Sequence, residues 1–212
     1  MSHAPGVGFD LDLTLIDTAP GFGAVLKALG EELGVVFPVA EMTARLGPPL
    51  DHMLIPHLEP ERIGPAVDRF RVLYRDHAIT TVPALPGAVE AIEAVRRAGG
   101  RVVVVTGKFT PNARLHLTHL GLDHDHLTGE VWGAGKGEVL RREGCTIYVG
   151  DHVHDVEGAH EAGILSVSVL TGGSTREELL AAGTDVVLDD LTRFPAWYAS
   201  HLGDRSAAGE DD

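Results

Sequence analysis

The run Arg101-Val102-Val103-Val104-Val105 constrains the fold of this chain more than any other segment. Its uninterrupted valines leave no polar face, so the strand they form must be covered on both sides, the condition of a parallel strand flanked by helices. Neighbouring segments repeat the theme. A helix over Ala88–Ala98 stops at Gly99-Gly100 ahead of the valines, and Thr110-Pro111 opens another, with Thr110 as N-cap, that stops near Gly121. Further strands are expected near Val7–Phe9, over Thr146–Val149, over Leu165–Leu170 and over Asp185–Leu188, with a helix ending near Gly163 between the second and third of these. Ser174-Thr175-Arg176-Glu177 reads as a capping box opening a short helix. Alternating βα units imply an α/β protein with a doubly wound, parallel, Rossmann-like sheet.

One stretch breaks the alternation. From Pro20 to about Leu33 the pattern is helical, with Gly34 as its stop, and from Glu41 to Ala78 it is helical except at Gly47-Pro48-Pro49 and near Pro56. Ile63, Val67, Phe70, Leu73 and Tyr74 recur there at helical spacing and read as core. Val82-Pro83-Ala84-Leu85-Pro86-Gly87 is a stiff connector. Such a length is too great for a loop, so residues 17–84 are expected to form a small α-helical cap on a core of residues 1–16 and 85–203, with 204–212 as a disordered tail.

Composition narrows the function. A hydrophobic share of 44% supplies a core, yet no apolar run is long enough to span a membrane, and the start lacks the charged and apolar regions of a secretion signal. Cys145 is the single cysteine, which excludes an intramolecular disulfide and points to a reducing cytoplasm. A net charge of −14 argues against nucleic acid as a partner, and it requires that an anionic substrate be held by local cations or a metal.

Four clusters carry chemistry. Asp10 and Asp12, in Phe9-Asp10-Leu11-Asp12-Leu13-Thr14, stand two apart where the first strand ends, so they share a face and need a cation or a shared proton. Thr106-Gly107-Lys108 follows the valine strand with a hydroxyl, a flexible amide and an ammonium that suit a phosphoryl group, or simply end the strand. Lys136 lies in Gly133-Ala134-Gly135-Lys136-Gly137, where glycines allow an ammonium to approach a buried anion, although a solvated lysine also fits. Asp151 and Asp155, in Gly150-Asp151-His152-Val153-His154-Asp155, again place carboxylates at a strand's end, and Asp155 also suits a helix dipole.

In this order, each at one edge of one sheet, the four clusters resemble the haloacid dehalogenase superfamily, in particular its phosphoglycolate-phosphatase-like branch. The resemblance covers Val7 to about Leu191, including the cap's place after the first strand and the hinges at Thr18-Ala19-Pro20 and Pro86-Gly87. It implies a magnesium-dependent phosphatase of a small phosphorylated metabolite such as phosphoglycolate. Asp10 would be the nucleophile that forms an aspartyl-phosphate and Asp12 the acid/base. Mg²⁺ would be held by Asp10, the Asp12 carbonyl and Asp151, with Asp155 supporting that site. Thr106, Gly107 and Lys136 would bind the phosphoryl oxygens. Arg45, beside Gly47-Pro48-Pro49-Leu50, would meet the substrate's anion or form a surface ion pair.

The chain departs from the pattern in the glycine after Lys136 and in His152 and His154 inside the fourth motif, which are read as exposed loop residues. His116, His119, His124 and His126 are read as a solvated surface rather than a zinc site, since no cysteine accompanies them. A β-phosphoglucomutase-like phosphomutase is the alternative inside the superfamily, and a non-catalytic binding protein the alternative outside it. A 2-haloacid dehalogenase would not need the acid/base that Asp12 supplies. Gly135-Lys136 lacks the upstream glycine and the Ser/Thr of a P-loop. The sequence leaves the oligomeric state open.

Overall fold

The computed structural model describes residues 5–44 and 46–208. Six strands, β1 (Gly6–Phe9), β2 (Arg101–Val105), β3 (His126–Thr128), β4 (Cys145–Gly150), β5 (Leu165–Val169) and β6 (Val186–Leu188), form one sheet. Every pairing is parallel and the spatial order is β3-β2-β1-β4-β5-β6, the Rossmann-like arrangement. The valine run behaves as its composition demands, with Val102 to Val105 all buried. Its side chains alternate between layers: Val102 and Val104 join Phe9, Ile147 and Val149 in the larger apolar cluster, while Val103 and Val105 join Tyr148, Leu140 and Ala159 in the smaller. The chain steps outward from β1 to β3, then returns beside β1 as β4. That reversal opens a crevice at the carboxyl ends of β1 and β4, where α/β sheets bind ligands.

Helices α1 (Ala19–Leu33), α2 (Val39–Ala44), α3 (Leu50–Leu54) and α4 (Pro60–His77) lie between β1 and β2. Within this insert α1 packs on α2 and α4, and α3 packs on α4. The Phe22 and Phe70 rings meet at 5.2 Å. The two connections to the sheet run side by side: Ile16 bridges Ala84 in antiparallel sense, the Asp17 amide donates to the Pro83 carbonyl at 3.0 Å, and the Leu85 amide to Leu15 at 2.9 Å. Phe22, Leu26 and Phe70 belong to the same buried cluster as Phe9 and Val102, so the insert and the sheet share apolar core.

The remaining helices, α5 (Ala88–Arg97), α6 (Thr110–Leu120), α7 (Gly135–Arg142), α8 (Val153–Ala162), α9 (Arg176–Ala181) and α10 (Phe194–Ala208), cover the sheet. Several details differ from the sequence expectations. Strand β3 was hidden because His126-Leu127-Thr128 is half-buried and short, with no apolar signature. Helix α7 was hidden by its glycines, yet a Cβ on Gly137 would lie 2.6 Å from Glu161 Cγ, so that glycine permits close packing of α7 on α8 rather than a flexible loop. Thr110 lies inside α6 without capping it. The capping box of α9 joins Thr175 to Glu178, one residue later than read. Helix α10 runs to Ala208, so the segment expected as a disordered tail is helical that far, and 209–212 lie outside the described residues. No helix among the described residues is long and apolar enough to cross a membrane.

Candidate active site

Strand β1 ends at Phe9, and the Asp10 amide donates to the Val149 carbonyl at 2.8 Å, which fixes Asp10 beside the end of β4. The chain then turns tightly: the amides of Thr14, Leu15 and Ile16 all donate to the Leu11 carbonyl, and Leu13 takes a left-handed φ of 56°. A leucine rarely adopts that conformation, so the surrounding bonds hold it there. The turn gives the two carboxylates different partners. Asp10 Oδ1 is 3.4 Å from Lys136 Nζ and has no hydrogen-bond partner although it is buried. Asp12 Oδ1 accepts from the Thr18 hydroxyl and from Lys108 Nζ, the latter at 2.7 Å.

Lys136, in the first turn of α7, is buried. Its ammonium donates to Asp155 Oδ1 at 2.6 Å and to the Tyr148 hydroxyl at 2.9 Å, and that hydroxyl donates to the Val105 carbonyl at 2.6 Å. Asp155 is equally committed. Its Oδ2 accepts from the amides of Asp151 and His152, so it caps α8 while pairing with Lys136. Asp151 Oδ1 accepts from the Thr14 hydroxyl at 2.9 Å, and its Oδ2 faces Gly172, where a Cβ would approach to 1.7 Å. Only glycine fits there.

Electrostatics separate these acids. Burial pushes Asp10 up to about 7; Lys136 opposes the rise, and the Asp155 and Asp12 charges add to it. Burial likewise raises Asp151 well above the carboxylate range, reinforced by Asp155 and Asp10. Burial disfavours the Lys136 ammonium, but Asp10 and Asp155 outweigh it and raise that lysine's pKa. Burial would also raise Asp12, yet Lys108 and Thr18 hold its carboxyl below the ordinary value. Oxygens of Asp10, Asp151 and Asp155 lie within 4.8 Å of one another. Three carboxylates against one buried ammonium, with an unpartnered Asp10 oxygen among them, form an all-oxygen donor set that suits a hard divalent cation. The Asp12 side chain is outside that set.

Thr106 is buried at the end of β2, and Gly107 lies exposed beneath the Trp132 ring. Asp10, Asp12, Thr106, Gly107, Asp151 and Asp155 all line one cavity of about 530 Å³ between the sheet edge and the helical insert. Lys136 lies behind Asp10 and Asp155. Arg45 falls outside the described residues. Three partners of these groups were not read as such from the sequence. Lys108 serves Asp12 and sits 4.4 Å from the Tyr74 ring centroid, and Tyr148 and Thr18 complete the set. His116 is buried rather than solvated, with Nε2 3.1 Å from the Tyr74 hydroxyl. Burial, aided by Lys108, lowers its pKa to about 4. His152 and His154 are half-buried against Trp132 rather than exposed, with ring centroids 5.7 and 4.7 Å from it.

A six-stranded parallel sheet with helices inserted after its first strand and an acidic crevice at the β1/β4 switch defines a Rossmann-like α/β protein. The family model for haloacid dehalogenase-like hydrolases matches residues 7–160, and a second hydrolase model of the same group matches 137–194. The chain belongs to the haloacid dehalogenase-like hydrolase family. A probable phosphatase, IndB, from Dickeya dadantii is 28% identical over 208 residues, covering 89% of this chain and 90% of that protein. A phosphoglycolate phosphatase from Cereibacter sphaeroides is 33% identical over 181 residues, covering 76% and 82%. Among solved structures, a haloacid dehalogenase-like family protein from Streptococcus pneumoniae superposes with a TM-score of 0.81 at 24% identity, covering 93% of this chain and all (100%) of that one.

Proposed function

We propose that this chain, a phosphoric monoester hydrolase of the haloacid dehalogenase family, moves the phosphoryl group of a small metabolite first to Asp10 and then to water. The observation that carries the reading is the opposite setting of two neighbouring acids: Asp10 keeps a free oxygen beside Lys136, whereas Asp12 is held by Lys108 and Thr18. An Asp10 oxygen bonds to phosphorus as the bond to the leaving oxygen breaks, and Asp12 gives that oxygen its proton. Water then attacks the aspartyl-phosphate, Asp12 takes the proton, and phosphate leaves with Asp10 restored. The Lys108 and Thr18 contacts favour the ionised Asp12 that the second step needs, and a phosphoryl dianion in the cavity favours the protonated form that the first needs. Thr106, the Gly107 amide and Lys136 neutralise the phosphoryl oxygens. Mg²⁺, held by Asp10, Asp151 and the Asp12 carbonyl, would supply charge neutralisation in the same place, while Asp155 orients the loop beneath it.

Residues 17–84 act in this reading as a cap that closes on the paired hinge segments at 16–17 and 83–85, and Arg45 is its proposed contact with the substrate's anionic phosphoryl group. The relatives' names make phosphoglycolate the first metabolite to assay. Phosphate release is measured with Mg²⁺ and with EDTA, on the unaltered protein and on Asp10→Asn. Release should require the metal, and Asp10→Asn should lose about 10³-fold or more in kcat while melting as a folded protein. Asp12→Asn should accumulate phosphorylated protein visible by intact mass. Turnover in Asp10→Asn close to the unaltered rate would sink the mechanism.

A further inference from the structure

We infer that the leaving group is an alcohol bearing an uncharged planar ring, received where Trp132 and His152 stand beside the phosphoryl-binding loop; the inference rests on the phosphatase reading of this site. The cavity of about 530 Å³ falls in the range of roughly 300–1,000 Å³ that takes drug-sized ligands, far beyond the two carbons of glycolate. Its walls are largely apolar and aromatic, with Phe22 and Phe70 from the insert and Phe109 and Trp132 from the core. Trp132 is placed for direct contact with a leaving group. A Cβ on Gly107 would lie 3.2 Å from its Cε3, so the indole stands against the loop whose amide is proposed to bind phosphate. The His152 and His154 rings pack against the indole in tilted contacts, and a Cβ on Gly47 would lie 3.0 Å from the His152 ring, so the insert's loop adjoins the wall. Flat rings with a π-face are what such walls hold well.

Charge selects against an acidic leaving group. Among the described residues lining the cavity, the Lys and Arg side chains are Lys108 and Arg71, and both are engaged. Lys108 is paired with Asp12 at 2.7 Å; Arg71 stacks on Phe109 at 4.4 Å and pairs with Asp68 and Glu130 at 3.5 and 3.3 Å. Asp51, Asp68 and Glu130 line the same cavity. A carboxylate on the leaving group would add a charge to a cavity where two carboxylates already face the Arg71 guanidinium and Asp51 adds a third acid to the lining.

The test compares uridine 5′-monophosphate, phosphoglycolate and glycerol 3-phosphate at saturating Mg²⁺, with acetyl phosphate as a reference that reports Asp10-dependent cleavage without an alcohol. The nucleotide should exceed both other esters in kcat/KM by about tenfold or more. Trp132→Leu should shrink that ratio, mainly through KM for the nucleotide, and Trp132→Phe should restore most of it. In Asp10→Asn the nucleotide should quench an indole emission that Trp132→Leu removes, leaving Trp197 alone. A preference for phosphoglycolate or glycerol 3-phosphate, or a ratio that Trp132→Leu does not move, overturns the inference while acetyl phosphate cleavage keeps the phosphatase reading standing. Failure of Asp10-dependent cleavage of acetyl phosphate overturns both.

Discussion

Asp10 is the residue most at odds with its surroundings, because folding buries its carboxyl beside two others with one ammonium to offset them. Its pKa of about 7 in the fold stands above the ordinary 3.8 of the unfolded chain. Between those values the folded protein holds a proton that the unfolded chain has released. Stability from this group is therefore full at low pH and falls as pH rises through the window, by about 1.4 kcal/mol per unit, then levels off above it. Thermal melts in EDTA at pH 5 and pH 8 should show a larger fall for the unaltered protein than for Asp10→Asn, which has no proton to lose there. Added Mg²⁺ should lessen the fall by supplying the missing positive charge. Equal falls in the two proteins would mean that Asp10 does not carry the penalty. The acids were legible in the sequence because charges at the ends of apolar strands have few uses. Their partners were not: Lys108 serves Asp12 and Tyr148 serves Lys136 through side-chain directions that spacing does not encode.

At the scale of elements, the central strand is thinned to let its neighbours reach the site. Gly8 in β1 lies where a Cβ would come within 2.8 Å of the Tyr148 ring and 2.6 Å of Leu140 Cδ2. Tyr148 in turn holds Lys136, so a methyl group in β1 would push on the site through β4. Gly8→Ala should destabilise by about 1–3 kcal/mol through overpacking, lowering Tm by about 2–4 °C for each kcal/mol in a chain of this size. It should also lower kcat more than Tm alone would suggest; a melt unchanged within error would show that the layer has slack. The elements legible in the sequence were those whose burial is uniform, such as β2, or whose stop is a left-handed glycine, such as Gly34 after α1 and Gly163 after α8. Those missed have mixed signals. Helix α7 carries Gly137 because α8 lies against it, β3 is short and half-buried, and α10 begins with Phe194-Pro195, whose Phe194 stacks on Tyr198 at 5.3 Å.

The whole molecule presents a contradiction of charge: a chain of net charge −14 is read as binding a dianionic ester. The buried lysines resolve it only at short range. Lys136 and Lys108 act within a few ångströms, and both are already paired with Asp155 and Asp12. An approaching substrate instead meets the net negative charge, to which the exposed acids Asp51, Asp68 and Glu130 of the cavity lining add locally. Salt shortens the reach of that field to about 8–10 Å at physiological strength but barely touches the buried contacts. Raising NaCl from about 20 to about 200 mM at saturating Mg²⁺ should therefore raise kcat/KM, chiefly by lowering KM, about two- to threefold. This is the opposite of what a cationic, steering site would show. Asp51→Asn and Asp68→Asn together should reduce the salt response, because they remove two exposed charges from the cavity lining. A kcat/KM that falls with salt would mean that the local cations, not the net charge, govern the encounter, and that the cavity's mouth is electropositive to its substrate despite the acids that line it.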